Sequence, residues 1–215
     1  VEQEIKILDI DKDSLIDRIV QKGGKKHLET SMTIYTYDIC DTTKIDHFSI
    51  GSSASEVLEN AYNFFQKHGS LAENNAHLRL RFLSHAPEAV ELTFKYTFDT
   101  HSDSSHVKKA HEYTCHLSQS DALKTRDLLQ DMGFLEVAAH EKKRLSYTLP
   151  NGCVCDIDTY PNIPTYVELE GDDNVIDEAI DKLELDRDKR SLLSGNSFFA
   201  TYGVNYYSKL YFEAQ

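Results

Sequence analysis

Leu78-Arg79-Leu80-Arg81-Phe82 and, a short polar turn later, Glu91-Leu92-Thr93-Phe94-Lys95-Tyr96 decide how this chain is read. Successive side chains on a strand point to opposite faces. Arg79 and Arg81 therefore share one face against Leu78, Leu80 and Phe82, while Glu91, Thr93 and Lys95 stand against Leu92, Phe94 and Tyr96. The pattern recurs outward from this pair. Towards the N-terminus, Glu2, Glu4 and Lys6 stand against Ile5 and Ile7. Towards the C-terminus, Glu112 and Thr114 oppose Tyr113 and Cys115, and Lys142, Arg144 and Ser146 oppose Leu145 and Tyr147. Asp156 and Asp158 then oppose Cys155 and Ile157, and Glu168 and Glu170 oppose Val167 and Leu169.

One such strand is an ordinary half-exposed strand with a solvated face. Repetition across seven strands is different, because most of the polar faces carry charged pairs of one sign at i, i+2 instead of mixed Ser, Asn and Gln. The apolar faces need cover, which amphipathic helices supply from outside. Closure of the strands into a barrel then turns the charged faces inward. A lumen lined by both signs of charge is costly when dry and empty. It is reasonable when wet and filled by a polyanion with a cation. Arg and Lys suit phosphate oxygens, and the carboxylates suit Mg²⁺ or Mn²⁺, which prefer oxygen ligands. The residues thus predict a metal-dependent phosphate-chain site.

The remaining elements fit around these strands. Helical periodicity covers Asp11 to Lys22, ended by Gly23-Gly24, then Ser53 to His68, Ser118 to Met132, and much of 173–203. Strands are expected at 2–8, 27–39, 77–84, 89–98, 107–117, 134–149, 152–159 and 165–170, with Asn151-Gly152 as a hairpin turn. Consecutive strands mostly lack a helical crossover, which favours an antiparallel α+β sheet or barrel over a doubly wound fold. The 215 residues are expected to form one domain, 1–215, with a helical insertion at about 41–75.

A net charge of −13 disfavours nucleic acid and anionic membranes as partners. No apolar run approaches the roughly 18 residues of a membrane-spanning helix, and no secretory signal is visible. Cys40, Cys115, Cys153 and Cys155 are spaced neither as a disulfide framework nor as a zinc site. Cytoplasmic localisation is expected. His101, His106, His111 and His116 read as a solvated group, and the aromatics from Phe198 to Phe212 as core packing or the contact of a homodimer.

Glu2-Gln3-Glu4-Ile5-Lys6 resembles the E-x-E-x-K signature of the CYTH family, the triphosphate tunnel metalloenzymes. The later segments follow the same order: Leu78 to Arg81, Glu91 to Lys95, Glu112, Lys142 to Arg144, Asp156 to Asp158 and Glu168 to Glu170. The segment Asp156 to Gly171 is similar to bacterial class IV adenylyl cyclases and thiamine triphosphatase-like members. The resemblance implies an eight-stranded antiparallel tunnel that acts on a triphosphate-containing small molecule with Mg²⁺ or Mn²⁺. By motif, Glu2, Glu4, Asp156, Asp158, Glu168 and Glu170 hold metal, and Lys6, Arg79, Arg81, Lys95, Lys142 and Arg144 hold the phosphates. Glu91 and Glu112 orient those bases. The catalytic set is then Glu2, Glu4, Lys6, Arg79, Arg81, Lys95 and Arg144.

The resemblance implies hydrolysis of inorganic, thiamine or another organic triphosphate, or conversion of ATP to cyclic AMP and pyrophosphate. A non-catalytic polyphosphate- or nucleotide-binding module would keep the bases but lose metal carboxylates, and here the paired Glu positions stand at both ends of the chain. A lipocalin-like carrier would need an apolar lumen. The pattern departs near the C-terminus. Relatives carry a Lys shortly before a Tyr-Gly pair, whereas Asn196 precedes Tyr202-Gly203, leaving Lys189, Arg190 or Lys209 to supply that charge.

Overall fold

The computed structural model describes residues 2–39, 54–99 and 107–213. Eight long strands form the frame: β1 (Glu2–Ile7), β2 (Lys25–Ile39), β3 (Ala76–Leu83), β4 (Ala89–Asp99), β5 (Lys108–Ser118), β6 (Phe134–Thr148), β7 (Val154–Thr159) and β8 (Tyr166–Glu170). They run in the order β6-β2-β3-β4-β5-β1-β8-β7, and antiparallel pairing of β6 with β7 closes the barrel. Two short strands add to the rim. β9 (Arg190–Ser191) pairs with β1, and β10 (Lys209–Leu210) lies parallel to β6.

Helices α1 (Lys12–Gln21), α2 (Ala54–His68), α3 (Gln119–Asp131) and α4 (Asp173–Lys182) cover the apolar outer faces. Val57, Leu58 and Ala61 of α2, with Ala122 and Leu129 of α3, pack on Leu78, Leu80, Leu92 and Phe94. Leu15 and Ile19 of α1, with Ile176, Ala179 and Ile180 of α4, pack on Ile5, Ile7, Ile157, Val167 and Leu169. Each such side chain contributes about 1.5–3 kcal/mol on full burial. The helix starts are set locally: Asp11 accepts from Ser14 N at 2.8 Å, and Ser118 Oγ accepts from Asp121 N at 3.1 Å. The stop after α1 requires glycine, since a Cβ on Gly24 would stand 2.4 Å from Ile19 Cγ2 and 2.9 Å from its carbonyl oxygen. Gly152 sits at φ +89° in the turn before β7, as the hairpin reading expects.

Residues 173–203 are less helical than their periodicity suggests. α4 stops at Lys182, Glu184 turns the chain at φ +51°, and only the short α5 (Gly195–Ala200) follows after β9. Of the 41–75 insertion, 40–53 lies outside the described residues, as do Cys40, His101 and His106. Cys115, Cys153 and Cys155 are buried and form no disulfide, with Cys153 and Cys155 in the cluster beneath α1 and α4. Among the described residues no helix is long and apolar enough to cross a membrane.

Candidate active site in the barrel

The inward positions of the strands converge on a cavity of about 280 Å³, near the lower end of the roughly 300–1,000 Å³ usual for small-ligand sites. Register stacks the charged rows. Glu4 stands opposite Lys108 on β5 and Glu170 on β8, and Lys6 opposite Glu168. Lys95 faces Glu112 and His77, Arg81 faces Glu91, and Arg144 faces Asp158. β2 is the exception: it presents Ile34 and Thr36 between Arg79 and Arg81 of β3 and His140 of β6. Every metal, phosphate and orienting residue that the motif names lines this cavity except Glu91 and Asp158.

Two sides can be distinguished. On the acidic side, Glu2, Glu4 and Glu170 bring carboxylate oxygens within 4.8 Å of one another, and so do Asp156, Glu168 and Glu170. Glu170 belongs to both groups and makes no ion pair among the described residues. Burial, then the charges of Asp156, Glu2 and Glu168, push its carboxyl up to about 8. Burial likewise raises Asp156, whose Oδ1 is buried without a hydrogen-bond partner. These carboxylates repel one another in the absence of a cation. Their oxygen-only chemistry fits Mg²⁺ or Mn²⁺, so Glu2, Glu4, Asp156, Glu168 and Glu170 are the residues able to hold metal.

Asp158, which the motif places with them, lies outside both carboxylate groups. It is fully buried behind the basic row, where its Oδ1 accepts from Arg144 Nε at 2.7 Å. Its Oδ2 accepts from Arg144 Nη2 at 2.6 Å and Lys142 Nζ at 2.9 Å. Tyr166 adds a hydrogen bond at 3.4 Å. With both oxygens occupied, Asp158 aims bases.

On the basic side most cations already have counter-ions. Lys6 lies 2.9 Å from Glu168 and 3.6 Å from Glu4. Lys95 lies 2.5 Å from Glu2, 2.8 Å from Glu4 and 3.7 Å from Glu112. Arg144 reaches Asp156 and also Glu168, the latter at 2.7 Å. Burial works against the charge on Glu4, yet Lys6, with Lys95 and Lys108, holds that carboxyl well below the usual range. Glu168 is held low against burial by Lys6, Arg144 and Lys142. Arg81 meets Glu91 at 3.4 Å. Glu91 and Glu112 thus touch Arg81 and Lys95. Arg79 differs: it makes no ion pair among the described residues, and its Nε is buried without a hydrogen-bond partner. It is the cation most ready for an external anion.

Several lining residues went unnoticed in the sequence. Lys108 shares the inward parity of Glu112, and His140 that of Lys142, so alternation alone would have found them. Lys108 lies 2.6 Å from Glu4, and burial outweighs that pairing to hold its amine down at about 8. Phe198, Phe199 and Tyr206 come from the C-terminal segment and are buried against Tyr166 and Ala138 within this chain. No strand alternation links that segment to the lumen. None of the proposed C-terminal bases reaches the cavity: Lys189 donates to the Asp9 carbonyl, Arg190 pairs with Asp177, and Lys209 is exposed on β10.

No family profile matches the chain, and no curated protein matches it in sequence. Solved structures share its fold. A candidate adenylate cyclase from Vibrio parahaemolyticus is 13% identical with a TM-score of 0.64, over 93% of this chain and 97% of that one. PH1012 from Pyrococcus horikoshii is 13% identical with a TM-score of 0.63, over 90% and 96%. HpAC1 from Hippeastrum, a candidate adenylyl cyclase reported to have a dominant triphosphatase activity, is 14% identical with a TM-score of 0.57, over 94% and 95%. At these identities the likeness is one of fold. The chain is an antiparallel tunnel barrel with a charged lumen, the architecture that the CYTH resemblance implies.

Proposed function

We propose that this chain is a CYTH-type enzyme that hydrolyses a phosphoanhydride bond of a triphosphate held in the barrel with Mg²⁺ or Mn²⁺. The observation that carries the reading is Glu170, a half-buried carboxylate that makes no ion pair among the described residues, shared by two carboxylate groups that line one cavity together with a row of Arg and Lys. Phosphoryl transfer asks for positioning and charge neutralisation more than for covalent chemistry. Arg79 and Arg81 offer forked donors to phosphate oxygens. Lys6, Lys95, Lys142 and Arg144 add positive charge around the chain. Asp158 fixes the direction of Lys142 and Arg144, while Glu91 and Glu112 fix Arg81 and Lys95. A divalent cation held by Glu2, Glu4, Asp156, Glu168 and Glu170 would neutralise phosphate charge and make bound water more acidic.

The test is a product assay with Mg²⁺ and then Mn²⁺, supplying inorganic triphosphate, thiamine triphosphate and ATP separately. Orthophosphate release that EDTA abolishes is expected. Cyclic AMP with stoichiometric pyrophosphate would replace this reading with a cyclase. Tight binding of all three without turnover would replace it with a binding module.

A further inference from the structure

We propose that Lys108 is a phosphate-chain ligand that leaves Glu4 when a divalent cation takes that carboxylate. This rests on the triphosphate reading above and adds a residue that the motif does not contain. Lys108 opens β5, points into the cavity and is 5% exposed. Its contact with Glu4 at 2.6 Å is its only ion pair among the described residues. Glu4 is crowded, since Lys6 and Lys95 approach the same carboxylate and Glu4 also belongs to the acidic group with Glu2 and Glu170.

The three lysines differ in what they keep when Glu4 turns to a metal. Lys6 also touches Glu168, which belongs to the second acidic group, and Lys95 keeps Glu112, which lies outside both groups. Lys108 retains no carboxylate among the described residues. A buried ammonium stripped of its counter-ion is costly, and the phosphate oxygens entering the same cavity relieve that cost. Lys108 therefore competes with the metal for Glu4 when the tunnel lacks substrate and binds substrate once the metal is in place.

The experiment uses the intact protein and diimidotriphosphate, whose P–N–P bridges resist hydrolysis. Its affinity at saturating Mn²⁺ is measured by calorimetry for the wild type, Lys108→Met and Lys108→Arg. Mn²⁺ affinity without phosphate is measured by electron paramagnetic resonance. Loss of one charge-assisted hydrogen bond should weaken diimidotriphosphate binding by about tenfold to a hundredfold in Lys108→Met, with Lys108→Arg restoring most of it. Mn²⁺ should bind Lys108→Met more tightly than wild type, because a competitor for Glu4 is gone. A merely structural lysine would weaken both ligands together, and that result would overturn the proposal, as would an unchanged diimidotriphosphate affinity. If Lys108→Met does not fold, Lys108→Gln takes its place with the same two readouts. Failure of the wild type to bind diimidotriphosphate would overturn the triphosphate reading itself, a different outcome from wild-type binding that Lys108→Met leaves intact.

Discussion

His140 ties stability to pH in a way that can be worked out from its surroundings. It is 2% exposed, stacks on Phe199 at 5.0 Å and meets the Tyr206 ring edge-on at 4.9 Å. Its Nε2 lies 2.8 Å from the Tyr206 carbonyl oxygen, so the neutral ring with hydrogen on Nε2 donates there. Burial pushes its pKa from 6.5 down to about 4, with the bond to Tyr206 opposing and the Arg79 charge assisting. The folded value lies below the unfolded one. The unfolded chain therefore binds the extra proton, and stability present above about pH 6.5 is lost as pH falls towards 4. A gap of about 2.5 pH units, at about 1.4 kcal/mol each, makes this roughly 3 kcal/mol by pH 4. The perturbation is His140→Gln, which keeps an amide donor and removes the titration. Urea unfolding of both proteins from pH 7 to pH 4 should show the wild type losing about 3 kcal/mol more than the variant. Other titrating groups, His77 included, are common to both and largely cancel. Parallel stability profiles would refute the assignment of a buried neutral imidazole.

Two further substitutions probe the frame of the site. Asp158→Asn removes the only carboxylate paired with Lys142 among the described residues and half of the grip on Arg144, so chemical denaturation should show a loss of about 3–5 kcal/mol; a loss below about 1 kcal/mol would remove Asp158 from its orienting role. Gly195→Ala puts a side chain at φ +52°, with its Cβ 2.7 Å from His77 Cε1. Backbone strain alone should cost about 1–3 kcal/mol, read as a lower midpoint in thermal unfolding, and an unchanged midpoint would mean that α5 does not seat against His77 as described.

Much of the barrel was legible because two-residue alternation is a strong local signal. Arg79 and Arg81 could not share a face with Leu78 and Leu80, and once seven strands repeated that rule, closure was the economical way to shelter the charges. The same rule would have found Lys108 and His140. What alternation could not supply was pairing across the lumen. Asp156 and Asp158 look equivalent at i, i+2, yet the closing β6–β7 register puts Arg144 opposite Asp158 and Ser146 opposite Asp156. One carboxylate is thereby consumed by bases while the other keeps an oxygen without a partner. Phe198, Phe199 and Tyr206 were harder still, because a short helix after an irregular stretch carries no local sign of the cavity that it meets.

In the proposed enzyme, carboxylates on one side of the lumen hold metal while bases on the other hold phosphates. Anomalous diffraction from crystals grown with Mn²⁺ and diimidotriphosphate tests it most directly. Manganese peaks are expected within the two carboxylate groups that share Glu170, with phosphate density within hydrogen-bonding reach of Arg79. Manganese elsewhere on the protein, with a cavity holding only water, would contradict it.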